Sequence, residues 1–277
     1  MKNKLVSVII PAFNEEKNIV RLIKSIQKQA YKHIEVIVVD DGSDDLTVSI
    51  AKKLGASVYS RKHLERSAQR NFGASRARGF FLLFLDADME LSRNVIKECV
   101  AKAGYDKKVG GVIISEKSVA KTFWEKIKAF ERSIYNLEGD EISDAPRFFS
   151  KEAFTSAGGY DESITGPEDW DLPETIKKKG YKFVRTTSSI KHYEKVPNLV
   201  SLAKKKYYYA LKTHRYLKKH GIGMVSSKTV YFLRPVLYKN WKILVRSPFL
   251  TLAMIVMLTV ELFAGGMGFL VGKFSNK

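Results

Sequence analysis

Phe80-Phe81-Leu82-Leu83-Phe84-Leu85-Asp86-Ala87-Asp88 is a run of six apolar residues closed by two acids. The run does not alternate, so it reads as a strand buried on both faces, as in parallel α/β sheets covered by helices on each side. Ligands of such folds bind beyond the carboxyl ends of the strands. Asp86 and Asp88 stand there. Residues i and i+2 of an extended segment point the same way, so both carboxylates are expected to face one hard cation, Mg2+ or Mn2+, and the phosphate it carries.

Outward from this stretch, strands and helices alternate. Leu5 to Ile10 reads as a strand ending at Pro11, and Ile19, Leu22, Ile23 and Ile26 follow at helical spacing. Ile34 to Val39 reads as a second strand, ending in Asp40-Asp41-Gly42-Ser43. A helix marked by Leu46, Ile50 and Leu54 then stops at Gly55, and a short strand lies near Val58. A polar helix over 68–78 precedes the acidic strand, and Ser92 is the expected cap of a helix carrying Val95, Ile96, Cys99 and Val100. Downstream, a strand is expected over 110–115, a helix over 122–135, a short strand at Phe148-Phe149 and a strand over 181–184. A helix runs from Glu168-Asp169 to Gly180 with Pro173 near its first turn. The alternation predicts a doubly wound, mostly parallel sheet flanked by helices.

The chain has 277 residues, a formal charge of +19 and one cysteine, Cys99, which rules out an internal disulfide and a thiolate metal site. The charge is concentrated: Lys195 to Arg246 holds thirteen Lys or Arg and no acid, interleaved with Tyr207, Tyr208, Tyr209, Tyr231 and Trp241. Phe249 to Gly272 then carries one charge, Glu261, in 24 residues, enough at about 1.5 Å per residue to cross a bilayer of roughly 30 Å. This order predicts a catalytic domain over 1–195, a basic aromatic interfacial segment over 196–247 and a transmembrane helix over 248–273. The partner of the basic charge is then a membrane and not a nucleic acid. The N-terminal apolar run is too short for a signal peptide, which predicts a cytosolic catalytic domain on a single-pass C-terminal anchor. Ala264, Gly268 and Gly272 recur every four residues and would admit a helix partner at close range.

Three acidic sites fall on one edge of the expected sheet. Asp40 and Asp41 would accept hydrogen bonds from a nucleobase or ribose. Asp86 and Asp88 would hold the cation, with His192 supplying a nitrogen ligand. Glu168 and Asp169, at a helix start that favours ionised carboxylates, would supply a general base for an acceptor hydroxyl. Arg66, Arg70 and Asn71 would hold phosphate or sugar oxygens. No G-x-G-x-x-G follows the first strand, and neither G-x-x-x-x-G-K-[ST] nor G-x-S-x-G occurs, which removes support for dinucleotide oxidation, P-loop hydrolysis and serine hydrolysis.

Val6-Ser7-Val8-Ile9-Ile10-Pro11-Ala12-Phe13-Asn14-Glu15-Glu16, Val38-Val39-Asp40-Asp41-Gly42-Ser43, Arg70-Asn71-x-Gly73, Leu85-Asp86-Ala87-Asp88, Gly158-Gly159-Tyr160-Asp161 and Glu168-Asp169-Trp170-Asp171 together resemble family 2 glycosyltransferases in order and spacing. The resemblance spans roughly residues 5 to 195. It implies a GT-A fold, a nucleotide diphosphate sugar donor linked to UDP or GDP, and an inverting transfer. It places Pro11, Glu15 and Asp41 at the nucleoside, and Asp86 and Asp88 at the ribose, diphosphate and metal; Phe13, Asp40 and Ala87 are expected beside them in the nucleotide-sugar site. Asp169, with Glu168 beside it, becomes the base. No Q-x-x-R-W follows the base, which argues against a processive polymerase. The expected acceptor is a hydroxyl on a lipid-linked or other glycan, with a polyprenyl phosphate as the alternative. A haloacid-dehalogenase phosphatase also places Asp-x-Asp after an apolar strand, but that strand usually opens the domain and continues into Thr or Val where Glu90 stands here. A purely membrane-binding or nucleic-acid-binding protein would leave the acidic set unexplained.

Overall fold

The computed structural model describes residues 4–62, 65–136 and 145–275, and the chain divides into two compact units. The first comprises residues 1–116, 145–162 and 169–192, and the second 117–144, 163–168 and 193–277.

The sheet contains β1 (Val6–Ala12), β2 (Ile34–Asp40), β3 (Ser57–Ser60), β4 (Phe81–Phe84), β5 (Met89–Leu91), β6 (Val109–Val119), β7 (Phe148–Ser150) and β8 (Lys182–Tyr193), in the order β3-β2-β1-β4-β7-β6-β8-β5. β3, β2, β1 and β4 are mutually parallel, the half that strand–helix alternation predicts. Beyond β4 the sheet turns mixed, because β7 enters antiparallel to both β4 and β6, and β5 pairs antiparallel with β8. The helices of the first unit are α1 (Glu16–Gln27), α2 (Thr47–Lys53), α3 (Arg66–Arg76) and α4 (Val95–Tyr105), with α6 (Lys151–Ser156) and most of α7 (Glu168–Lys178) following the inserted α5 (Phe123–Asn136) of the second unit.

The central strands are buried on both faces, as their unalternating sequences require. Phe81, Leu83 and Leu85 enter one core cluster with Val8, Ile10 and the Ile19, Leu22, Ile23 and Ile26 face of α1. Leu82 and Phe84 enter the other, with Ile9, Val39, Phe149 and Phe154. Three local expectations shift. The cap of α4 is Asn94, with Ser92 accepting from Val95 N–H through its carbonyl. β8 is far longer than residues 181–184 and includes His192. Pro173 lies inside α7, where it has no N–H for the carbonyl of Asp169 four residues back.

The second unit is helical: α5, α8 (Leu199–Ala210), α9 (Thr213–His220), α10 (Pro235–Lys239), α11 (Trp241–Arg246) and α12 (Pro248–Phe274). Its core joins Ile127 and Ile134 of α5, Leu202 of α8 and Met254, Met257 and Leu258 of α12. Glu261 is buried and bonds Lys128 Nζ at 3.0 Å and Lys206 Nζ at 3.1 Å. Lys128 also meets Glu131 at 2.5 Å, Tyr135 donates to Glu131 at 2.9 Å, and Lys206 donates to the Tyr231 hydroxyl at 3.0 Å. Burial alone disfavours the Lys206 ammonium, but Glu261 and Tyr231 outweigh it and hold it protonated. Gly268 and Gly272 face α8 within this unit: a Cβ on them would run into the backbone of Tyr207 and Leu211 respectively. Among the described residues, α12 is the one helix long and apolar enough to cross a membrane.

Candidate active site

The carboxyl ends of β2, β1 and β4 lie on one edge of the parallel half, and the predicted site residues follow from there. Leu85 N–H still bonds Ile9 carbonyl at 3.1 Å, but the chain then turns, with Met89 N–H reaching Asp86 carbonyl at 3.2 Å. Asp86-Ala87-Asp88 is therefore a turn and not the extended segment expected from its sequence. Ala87 is buried beneath it. The turn leads into β5, whose pairing with β8 sets Met89 opposite His192, so the imidazole lies beside Asp88.

α3 delivers Arg70 to the same place. A Cβ at Gly73 would overlap Ile9 and lie 3.2 Å from Val39 Cγ2, so glycine lets this helix sink close to the sheet. Arg70 is buried, and its two terminal nitrogens bond Asp169 Oδ1 at 2.8 Å and Asp86 Oδ1 at 3.0 Å. One guanidinium thus ties the first residues of α7 to the acidic turn, 83 positions apart in sequence. The other Asp86 oxygen accepts from Arg147 Nη1 at 3.2 Å, and Arg147 Nε donates to Glu116 Oε1 at 2.5 Å. The second Glu116 oxygen meets His192 Nδ1 at 2.9 Å, leaving His192 Nε2 facing Asp88 Oδ1 at 3.5 Å. Burial would push the Asp86 carboxyl up, but Arg147, Arg70, Arg66 and His192 outweigh it and hold it far below the usual carboxylate range. Arg147 stays protonated because Glu116, Asp86 and Asp169 together overcome its own burial.

Asp86, Asp88, Asp169 and Glu116 set four carboxylates around the guanidiniums of Arg70 and Arg147, with Arg66 also acting on Asp86. The donors suit Mg2+ or Mn2+, which take carboxylate oxygen and accept imidazole. Among the described residues no three such side chains are grouped for a metal, and both Asp86 oxygens are engaged by guanidinium. Asp88 and His192 would be the residues to hold such a cation.

The predicted nucleoside residues gather at the ends of β1 and β2. Pro11 is buried opposite Val39, and Asp40 lies opposite Ala12. Asp40 accepts from Gly42 and Ser43 N–H at 3.3 Å each, shaping the turn in which Gly42 takes φ +86°. Asp41 is buried with its N–H on Ala12 carbonyl at 2.9 Å, and Glu15 accepts from Asn18 at 2.7 Å. Phe13 is half exposed. Asn71 is drawn elsewhere: its amide donates to Tyr160 carbonyl and Glu162, and accepts from Tyr160 N–H, pinning the Gly158-Gly159-Tyr160 turn. Glu168 is buried and grouped with the second unit, so Asp169 is the member of that pair at the Asp86 cluster.

Sequence reasoning missed Arg147 and Glu116. Arg147 stands immediately before the Phe148-Phe149 strand, and only the insertion of β7 between β4 and β6 brings it to Asp86. Nothing in the local sequence signals that insertion.

A parallel half-sheet with acids at its carboxyl edge, continued by antiparallel strands that return an imidazole to them, is the GT-A architecture of nucleotide-sugar transferases. The chain belongs to Glycosyl transferase family 2, whose sequence pattern matches residues 7–155. It is 34% identical over 187 residues to the GalNAc(5)-diNAcBac-PP-undecaprenol beta-1,3-glucosyltransferase of Campylobacter jejuni, covering 63% of this chain and 60% of that one. It spans only 28% and 27% of two other curated relatives. Among solved structures it resembles the mannosyltransferase PcManGT from Pyrobaculum calidifontis in complex with GDP-Man and Mn2+, with TM-score 0.57, 19% identity, and 99% of this chain and 80% of that one covered. It also resembles S. aureus TarS 1-349 in complex with UDP-GlcNAc, with TM-score 0.56, 22% identity, and 75% and 66% covered. At these identities the structural likeness carries the fold.

Proposed function

We propose that this protein is an inverting glycosyltransferase that moves a sugar from a UDP- or GDP-linked donor to a hydroxyl acceptor, in the setting of a lipid-linked glycan at a membrane. The observation that carries the proposal is the Asp169–Arg70–Asp86 bridge, which joins a partly exposed carboxylate to the acidic turn that would receive the diphosphate. In this reading Pro11, Phe13, Glu15 and Asp41 frame the nucleoside. Asp88 and His192 would hold Mg2+ or Mn2+, which would supply positive charge for the departing diphosphate. Arg70 and Arg147 fix Asp86. Asp169 takes the proton of the acceptor hydroxyl as its oxygen attacks the anomeric carbon from the face opposite the leaving diphosphate. The Campylobacter relative, named for a polyprenyl diphosphate acceptor, and the apolar α12 support the lipid-linked, membrane-associated setting.

Asp169→Asn keeps the hydrogen-bond shape and removes the base. It should bind donor within about twofold of wild type and lose at least 100-fold in transfer, the general-base contribution being about 10²–10⁴. Transfer at the wild-type rate would remove Asp169 from the base role.

A further inference from the structure

The second unit carries a surface the reaction does not use. Phe249, Leu252, Val256, Phe263, Met267 and Leu270 are all exposed on α12, and their spacing of three, four and seven residues makes one apolar stripe along the helix. The opposite face is packed: Met254, Met257 and Leu258 enter the core, Glu261 meets its lysines, and Gly268 and Gly272 abut α8. Gly268 lies against Tyr207 and Gly272 against Leu211, the same four-residue step on both chains, so α8 runs parallel to the last third of α12 at backbone contact.

We infer that α12 lies in the plane of an anionic membrane surface, its apolar stripe sunk into the boundary of headgroups and acyl chains, and does not cross the bilayer. The inference rests on the membrane association proposed above and gives it a topology. In a crossing helix Glu261, at the midpoint of Pro248–Phe274, would sit at the bilayer centre with Lys128, Glu131 and Lys206. The exposed Lys204 and Lys205 of α8 would flank the same helix inside hydrocarbon. Lying flat, α12 turns this charged side toward water and its exposed apolar residues, the stripe among them, toward lipid. Most of the thirteen Lys or Arg between 195 and 246, Lys206 in its Glu261 pair and the buried Arg234 apart, supply charge complementary to anionic headgroups.

The test places an environment-sensitive nitrobenzoxadiazole label on Phe249→Cys, Phe263→Cys or Phe274→Cys in the full chain. Cys99 is buried and its thiol is pushed up by burial, so it stays unlabelled. Vesicles of equimolar phosphatidylcholine and phosphatidylglycerol carry spin quenchers at shallow or deep acyl positions. The expected result is equal quenching at all three sites, stronger from the shallow quencher, with binding at least about tenfold weaker to pure phosphatidylcholine. A deep middle label between two shallow ends would overturn the in-plane topology and leave membrane association standing. Three water-exposed labels, in protein that still binds a nucleoside diphosphate, would overturn both. Labels already shielded without lipid, in a protein sedimenting as a dimer, would replace the membrane with a second copy of the chain.

Discussion

Arg70 is the residue on which the site turns. Buried on α3, it holds Asp86 with one nitrogen and Asp169 with another, so the acidic turn and the proposed base share one cation. Both acids are legible in the sequence because an apolar strand and a Gly-Pro turn announce them. Arg70 was placed at phosphate or sugar oxygens; the structure adds its role as a clamp between carboxylates. Arg147 and Glu116 were illegible, since they reach the site through a strand order that local pattern does not encode. The depressed Asp86 acidity makes a pH prediction. A carboxylate whose folded value lies below its ordinary value near 3.8 adds stability that is complete above that value and is lost as pH falls toward the folded one. Asp86→Asn should therefore be less stable at pH 7, by no more than the roughly 3–5 kcal/mol of a broken buried pair. The gap between its urea-unfolding free energy and that of wild type should narrow as pH drops from 4 to 2. Curves that stay parallel over that range would mean Asp86 gains nothing from its guanidiniums.

At the scale of elements, composition told most where one residue type had to serve two faces. β4 was clear because Leu82 and Phe84 feed one core cluster while Phe81, Leu83 and Leu85 feed the other. β5 has only three residues, Met89–Leu91, too few to show a period, and its pairing with β8 is what brings His192 to Asp88. The small residues of α12 predict a seat for a helix partner, and within the second unit α8 and its cap residue Leu211 occupy Gly268 and Gly272. These glycines differ from their neighbours in a way that can be measured. Gly272→Ala drives a Cβ into Leu211 backbone and should cost about 1–3 kcal/mol, as overpacking does. Gly265→Ala meets nothing within 4 Å and should stabilise the helix by up to about 1 kcal/mol. Thermal unfolding in detergent should move the two midpoints in opposite directions; equal shifts would mean α8 and α12 are not in contact.

Over the whole molecule, the two units are cut otherwise than the expected 1–195, 196–247 and 248–273: α5 and residues 163–168 join the C-terminal helices in the second unit. The family pattern ends at residue 155, ahead of Asp169 and the whole of α8 to α12, so the proposed base and membrane surface stand on the geometry of this chain. The central claim is that Asp86, Asp88, Asp169 and His192, clamped by Arg70 and Arg147, receive a nucleotide sugar with a divalent cation. Its most direct test is calorimetric titration of UDP- and GDP-sugars into detergent-purified protein, with and without Mn2+, beside Asp88→Asn as control. The account predicts binding of one nucleotide class that requires Mn2+ and weakens at least tenfold in Asp88→Asn. Metal-independent binding that is equal in the variant, or no binding of any nucleotide by folded protein, would contradict it.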